Sequence, residues 1–188
     1  MVDERTDKMI TKAGFVSLIG APNAGKSTLM NAMVGQKVSI VTPKVQTTRS
    51  RVRGIAMHND TQIIFVDTPG IFTPKRRLDR AMVHAAWQGA EDCYVLLFLH
   101  DCARRVVDDD TASILANLAA SGRPASLVLN KIDLAPQERL LERAAELSDQ
   151  YDFERVFMVS AETGNGVGDL KAWLAAQMPD SPYLFDPD

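Results

Sequence analysis

The sequence has few of the residues that build disulfide-stabilised, metal-binding or membrane-spanning proteins. Its 188 residues include two cysteines, Cys93 and Cys102, which are too few for a disulfide framework and do not form a Cys-x-x-Cys pair. The three histidines do not cluster at metal-ligand spacing. The longest apolar run, Tyr94–Leu99, is too short to cross a bilayer. We therefore expect a globular protein with ordinary reduced thiols, as found in the cytoplasm.

The charge pattern also excludes some function classes. The formal net charge is −3, so no overall positive field attracts nucleic acid or an anionic membrane. The charged N-terminal residues Met1–Lys12 lack the apolar stretch of a signal peptide. A hydrophobic fraction of 46% is ordinary for one domain with a full core.

Apolar runs bounded by turn residues alternate with helical patterns, which is typical of βα units on a parallel sheet. The turn residues His58-Asn59-Asp60 predict an antiparallel hairpin between the second and third strands. The fold class predicted is α/β, in three layers, with a six-stranded, mostly parallel sheet that contains one antiparallel strand. The expected strands are Ala13–Ile19, Arg51–Met57, Thr61–Val66, Cys93–Leu99, Ala125–Leu129 and Arg155–Val159, and the expected helices are Lys26–Val34, Leu78–Gly89, Asp110–Ala120, Gln137–Gln150 and Val167–Met178.

A phosphate-binding loop is predicted between the first strand and the first helix. The octapeptide matches Gly-x4-Gly-Lys-Ser, and its residues are Gly20, Ala21, Pro22, Asn23, Ala24, Gly25, Lys26 and Ser27. Glycines let backbone N–H groups turn towards a phosphate, and the helix N-terminus adds positive potential. Lys26 is expected to bridge the β- and γ-phosphates, and the Ser27 hydroxyl to ligate Mg²⁺.

Two further segments complete the expected magnesium and γ-phosphate site. Asp67 follows a strand that neighbours the phosphate-loop strand, so its carboxylate can hold Mg²⁺ through water. The Gly70 N–H can then reach the γ-phosphate. In the polar segment Gln46–Arg49, one threonine can bring its hydroxyl to Mg²⁺. We favour Thr48, with Thr47 as the alternative.

A guanine site is predicted after the fifth strand, at Asn130-Lys131-Ile132-Asp133. The Asp133 carboxylate can accept hydrogen bonds from guanine N1–H and the 2-amino group, a pattern that adenine lacks. Lys131 can lay its stem over the purine, and Asn130 can bond N7 and tie this loop to the phosphate loop. Ser160-Ala161-Glu162, after the last strand, can present backbone N–H groups to guanine O6.

These motifs together resemble those of translation-factor-class small GTPases, and finer features resemble the bacterial Era family. The resemblance covers nearly the whole chain from Ala13. It rests on Gly20–Thr28, Gly35–Ile40, Gln46–Arg49, Asp67–Gly70, Asn130–Asp133 and Ser160–Gly164. It implies a GTPase that binds GTP or GDP with Mg²⁺. The nucleotide-binding residues implied are Gly20, Ala21, Pro22, Asn23, Ala24, Gly25, Lys26, Ser27, Thr28, Asp67, Thr68, Pro69, Gly70, Ile71, Asn130, Lys131, Ile132, Asp133, Ser160, Ala161 and Glu162.

The resemblance also implies a domain plan and a cellular role. Residues 1–12 would form an N-terminal arm, 13–178 an Era-type GTPase domain, and 179–188 a linker towards a KH domain that this chain lacks. Era-like proteins bind 16S ribosomal RNA and help mature the 30S subunit. The implied protein is a cytoplasmic monomer, with peripheral inner-membrane association as a further expectation. RNA binding is expected to be weak or absent without the KH domain.

The catalytic residues predicted for hydrolysis are Lys26, Thr48 and Gly70. Ile71 stands where signalling GTPases carry a water-orienting glutamine, so intrinsic hydrolysis should be slow. Asn23 resembles the asparagine with which some of these GTPases hold K⁺. Alternatives are a GTP-dependent binding switch with negligible turnover, a sibling ribosome- or tRNA-related GTPase and, least favoured, a small-molecule kinase.

Overall fold

A computed structural model describes residues 10–35, 51–67 and 95–186, with Arg51 and Asp67 described by their backbone alone. The strands are β1 (Lys12–Gly20), β2 (Arg51–His58), β3 (Thr61–Asp67), β4 (Val95–Asp101), β5 (Ser126–Asn130) and β6 (Val156–Met158). The helices are α1 (Lys26–Val34), α2 (Asp109–Ser121), α3 (Gln137–Gln150) and α4 (Val167–Gln177). The predicted helix Leu78–Gly89 and the predicted strand start at Cys93 lie outside the described residues.

The six strands form one sheet in the order β2-β3-β1-β4-β5-β6. All neighbours are parallel except β2 and β3, which confirms the predicted α/β fold and its one antiparallel strand. The chain places β2 at one edge, returns to β3 beside β1, and then crosses to β4 on the other side of β1. Such a reversal leaves a crevice at the carboxyl ends of the two strands, where α/β proteins bind ligands.

The β2–β3 hairpin turns where the sequence predicted. His58 pairs with Thr61, and Asn59 adopts a left-handed φ of 49°, a conformation that asparagine tolerates well. The register shifts between Val52 and Gly54, an irregularity that the alternating pattern of the strand did not predict.

The described helices cover both faces of the sheet, and each face has its own apolar cluster. On one face, Leu29 and Met33 of α1 and Leu170 and Leu174 of α4 pack against inward residues of the strands. On the other face, α2 and α3 pack through Ile114, Leu115, Leu118, Leu140 and Leu147. This arrangement confirms the three layers expected from the alternation of strands and helices.

The observed element ends differ from the predicted ones at two points that bear on function. Strand β4 continues to Asp101 rather than ending at Leu99, so the polar pair His100-Asp101 belongs to the strand. The last strand, β6, is only three residues long. The apolar run of β4 predicted most of this strand. Its polar end, His100-Asp101, belongs to the sheet because it pairs with β5, and no local sequence pattern shows that pairing.

The C-terminal segment 179–186 lies against the start of the sheet. Thr11 and Ser181 exchange hydrogen bonds, and the backbones of Lys12 and Asp180 form an isolated antiparallel β-bridge. The fully buried side chain of Gln62 donates to the Phe185 carbonyl at 2.9 Å and accepts from the Leu184 and Phe185 N–H groups. The Gln62 side chain therefore pairs with the backbone of this segment, as a neighbouring strand would. The role of segment 179–188 as a linker to a further domain stays a prediction.

A small group of polar side chains is buried beneath α3. His100 is 2% exposed, and burial together with the charge of Arg143 lowers the pKa of its imidazole to about 4. Burial raises the pKa of the Cys102 thiol to about 12, so this cysteine is an unreactive thiol at neutral pH. On the other face of the sheet, Trp173 is half-buried and packs on Phe157 with ring centroids 5.0 Å apart.

The pKa of His100 predicts acid sensitivity of the fold. An unfolded histidine with its ordinary pKa of 6.5 takes up a proton as the pH falls below that value, whereas the folded one stays neutral until about pH 4. The contribution of neutral His100 to the free energy of unfolding is therefore complete above pH 6.5, and it is lost as the pH falls from 6.5 to 4. The full loss corresponds to roughly 3 kcal/mol in the free energy of unfolding.

Urea unfolding from pH 7.5 to 5 measures this dependence. We expect His100→Val to flatten the decline in the free energy of unfolding, whatever its effect at neutral pH. The control His58→Gln changes a half-buried histidine in β2 and should keep the wild-type slope. Parallel pH curves for the wild type and His100→Val would contradict the assignment.

Candidate nucleotide-binding site

Four loops meet at the carboxyl edge of the sheet. They follow Gly20 in β1, Asp101 in β4, Asn130 in β5 and Met158 in β6. Parallel pairing places these strand ends side by side, with Gly20 next to Leu99 and Asp101 next to Asn130. Segments more than 100 residues apart in the sequence therefore share one crevice.

The predicted phosphate loop lies between β1 and α1. Two of its residues have left-handed backbone, Asn23 with φ of 65° and Gly25 with φ of 98°. Lys26 Nζ donates to the Gly20 and Ala21 carbonyls at 2.7 and 3.1 Å, so the ammonium lies within the loop. Helix α1, described in full, has no acidic residue in its first turn. Its N-terminal positive potential is therefore not neutralised from within the helix.

Asn130 joins three of the loops. Its Nδ2 donates to the Ala24 carbonyl in the phosphate loop at 3.0 Å, and its Oδ1 accepts from the Ala161 N–H at 3.1 Å. The side chain is only 1% exposed. A Cβ on Gly25 would lie 2.2 Å from Asn130 Nδ2. Glycine is needed there for two independent reasons, the left-handed φ and the close approach of this amide.

Lys131 spans the gap between the base loop and the phosphate loop. Its backbone is left-handed, with φ of 63°. Its Nζ donates to the Asn23 carbonyl at 3.0 Å and to Asp101 Oδ2 at 2.9 Å. The stem is therefore held extended along the edge of the crevice.

The last loop supports the carboxylate that was predicted to recognise guanine. Ser160 Oγ–H donates to Asp133 Oδ1 at 2.7 Å and accepts from the Thr163 N–H at 3.1 Å. Gly166 closes this loop with φ of 75°, and a Cβ there would lie 2.4 Å from the Met158 carbonyl. The exposed Asp133 is thus oriented from behind by a buried serine.

The sequence of this chain is similar to those of known proteins. The family described as "50S ribosome-binding GTPase" matches residues 15–131, which is more than half of the chain. The chain belongs to this GTPase family. It is also similar to proteins called GTPase Era, at 54% identity over 178 residues in Afipia carboxidovorans and 53% over 181 residues in Dinoroseobacter shibae. These matches confirm the predicted resemblance to Era. Each match covers 95% of this chain but 58% of the relative, so this chain spans little more than half of the relatives' length.

Solved Era structures have the same fold as this chain. An Era variant from Aquifex aeolicus bound to GDP·AlF4⁻ matches with a TM-score of 0.73 and 36% identity. Era in complex with MgGDPNP and a segment of 16S ribosomal RNA matches with a TM-score of 0.74 and 36% identity. Both matches cover 95% of this chain and 61% of the other.

Several predicted site residues lie outside the described part of the chain, or are described only in part. Asp67 ends β3 at the same edge of the sheet, but its side chain is not described. Ser27, Thr28 and Glu162 are exposed, and Ile132 begins a short 3₁₀ turn after Lys131. The predicted residues that fall outside are Thr47, Thr48, Thr68, Pro69, Gly70 and Ile71.

Within residues 10–35, 51–67 and 95–186, no group of three or more His, Cys, Asp or Glu side chains is placed to hold a metal ion. Among the same residues, no helix combines the length and apolar character that crossing a bilayer requires.

Sequence reasoning missed Asp101. It lies two residues beyond the predicted end of its strand, in a short segment that matches none of the GTPase motifs. Its contact with Lys131 depends on the pairing of β4 with β5, so the only sequence signal is a carboxylate at the end of a buried strand.

The contact between Gly25 and Asn130 gives a direct test of the site. Gly25→Ala must displace the Asn130 amide and strain the left-handed backbone, so both hydrogen bonds of Asn130 are lost. We expect about 100-fold weaker binding of GDP, measured by titration calorimetry. The control Gly168→Ala adds a methyl group in α4, where no atom lies within 4 Å of the new Cβ, and should bind like the wild type. Equal GDP affinities in the two variants would contradict the close approach.

Proposed function

We propose that this chain is a Mg²⁺-dependent GTP-binding switch that hydrolyses GTP slowly. The observation that supports the proposal is the pair of hydrogen bonds of Asn130, which ties the loop between β1 and α1 to the loops after β5 and β6. A phosphate loop by itself is common to many nucleotide-binding proteins. Its attachment to a loop that carries an oriented carboxylate favours guanine.

The phosphates and the metal ion would be held by the β1–α1 loop and its neighbours. Lys26 is already inside the loop and would exchange its carbonyl partners for β- and γ-phosphate oxygens. The Ser27 hydroxyl would ligate Mg²⁺, with Thr48, or alternatively Thr47, as a second ligand and Asp67 acting through water. The fit is supported by the glycine that leaves room beside Asn130 and by the unneutralised N-terminus of α1. Bound Mg²⁺ neutralises charge that develops on the transferring phosphoryl group.

The base would lie between Lys131 and Asp133. The Asp133 carboxylate, oriented by Ser160, would accept from guanine N1–H and the 2-amino group. The N–H groups of the Ser160–Glu162 segment would face O6, and the Asn130 amide would approach N7. Because adenine lacks both donors, it would leave the carboxylate unpaired at a cost of a few kcal/mol.

Hydrolysis would depend on groups other than a glutamine. Ile71 cannot orient water, so we propose slow intrinsic turnover with the γ-phosphate contacted by the Gly70 N–H and Lys26. Asn23, exposed in the phosphate loop, is our candidate ligand for a K⁺ ion that would stabilise the developing charge. A GTP-dependent binding switch with negligible turnover is the alternative that Ile71 favours.

In the longer protein, we propose a role in 16S ribosomal RNA processing and assembly of the 30S subunit. Support comes from the similarity to Era and from the complex of Era with 16S ribosomal RNA. A cytoplasmic monomer, peripherally associated with the inner membrane, completes the proposal. Single-turnover GTP hydrolysis with and without 30S subunits would separate this role from the binding-only alternative.

Nucleotide titration tests the guanine site. We expect GDP and GTP to bind at least 100-fold more tightly than ATP, because only guanine pairs with Asp133. Asp133→Asn should weaken GDP binding by about 100-fold and gain affinity for xanthosine diphosphate, whose 2-oxo group accepts from an amide. The control Asp149→Asn changes an exposed carboxylate at the end of α3 and should change neither affinity. Comparable ATP and GTP affinities would overturn the base-site proposal.

Hydrolysis in KCl and NaCl at equal ionic strength tests the cation site. We expect about tenfold faster turnover in KCl. Asn23→Gly keeps the left-handed backbone while removing the side chain, and should abolish the difference between the salts. Asn59→Gly makes the same exchange at another left-handed residue, in the hairpin turn at the opposite edge of the sheet, and should keep it. Equal wild-type rates in both salts would end the K⁺ proposal.

A further inference from the structure

We propose that Asp101 is a positioning residue for nucleotide binding, because it holds Lys131 ready to receive the purine. The inference rests on the proposed function and adds to it a residue outside the motifs that predicted the site. It starts from one contact, the 2.9 Å ion pair between Lys131 Nζ and Asp101 Oδ2.

The Asp101 carboxylate is fixed by contacts within the protein. Its residue pairs with Asn130 in the parallel ladder, and the next N–H, of Cys102, donates to the Asn130 carbonyl at 3.0 Å. Oδ1 accepts from the Ala103 N–H at 2.9 Å. Only Oδ2 then faces Lys131. The carboxylate is therefore rigid, nearly buried and tied to the same strand that supports the base loop.

The two partners of Lys131 fix its whole side chain. The ammonium is held at one end by Asp101 Oδ2 and the Asn23 carbonyl, and the backbone is held at the other end by its left-handed conformation. A free lysine side chain loses conformational entropy when it is ordered. Here contacts within the protein supply that ordering, so the stem over which the purine would lie is preorganised.

Arg104 reaches this carboxylate only at longer range. Its Nε forms an ion pair with Asp101 Oδ2 at 3.8 Å, beyond hydrogen-bond distance, and its guanidinium hydrogen-bonds to Asp108, the N-cap of α2. The side chain of Lys131 is 32% exposed and that of Asp101 11%. The pair is thus partly shielded, and we expect it to exceed a fully exposed ion pair in strength.

The geometry separates this role from base selection and from hydrolysis. In the proposed function, Asp133 would pair with the guanine edge, and the hydrolysis groups would act at the phosphates. Asp101 touches neither region directly and acts only through Lys131. Its loss should weaken all guanine nucleotides alike and leave the preference for guanine over adenine unchanged.

Asp101→Asn tests the inference with little risk to the fold. Asparagine has the same shape, and its single carbonyl oxygen can serve either the Ala103 N–H or Lys131, but not both as the carboxylate does. We expect about three- to tenfold weaker GDP and GTP binding, seen as faster release of a fluorescent GDP analogue. In steady-state hydrolysis, KM should rise by the same factor while kcat stays at the wild-type value. Asp109→Asn, an exposed carboxylate at the start of α2, is the matched control.

A double-mutant cycle with Lys131→Met decides whether the effect passes through the lysine. We expect Asp101→Asn to change GDP affinity less than about twofold in that background. Equal losses in both backgrounds, or no loss in the wild-type background, would overturn the inference. A wild-type chain that binds no guanine nucleotide would instead overturn the proposed function, and this inference with it.

Discussion

The site depends on one buried amide. Asn130 is the last residue of β5. Its two polar side-chain atoms form hydrogen bonds with the phosphate loop and with the loop after β6. A buried amide with both atoms paired is rigid, and an unpaired one would be costly. The neighbouring phosphate loop must therefore approach closely, which only a residue without a Cβ allows at position 25. The relative placement of phosphate and base loops follows from this contact.

The sheet order explains why the contact is available. Strand β1 lies at the centre, with β3 on one side and β4 on the other, so its carboxyl end opens into the crevice where the chain changes direction. Strand β5 lies one step further out. Its terminal residue, Asn130, pairs with Asp101, so the polar ends of β4 and β5 lie side by side at the same edge of the sheet. The buried apolar runs of these strands thus hold polar groups that would not otherwise lie together.

Much of the fold and most of the described site could be predicted from local patterns. Strands β1 and β5 are apolar runs ended by Gly20 and Asn130, and α1 begins at Lys26 as the Gly-Lys-Ser pattern requires. The role of Gln62 could not be predicted, because its partners are 122 and 123 residues away and a glutamine has no preferred partner in a sequence. Asp101 was missed for the same reason. Its partner is 30 residues away, and the contact exists only once β4 and β5 are paired.

The sequence by itself determined the chemistry: the order of the motifs, the glycines at left-handed positions and the carboxylate suited to guanine. Such features depend on residue type and short spacing, which are visible in the sequence itself. The tertiary structure alone decided which side chains brace the site. Lys131 meets the Asn23 carbonyl and Asp101 because three parallel strands end at one edge. Contacts of that kind arise from packing between distant segments, and packing is a property of the folded chain.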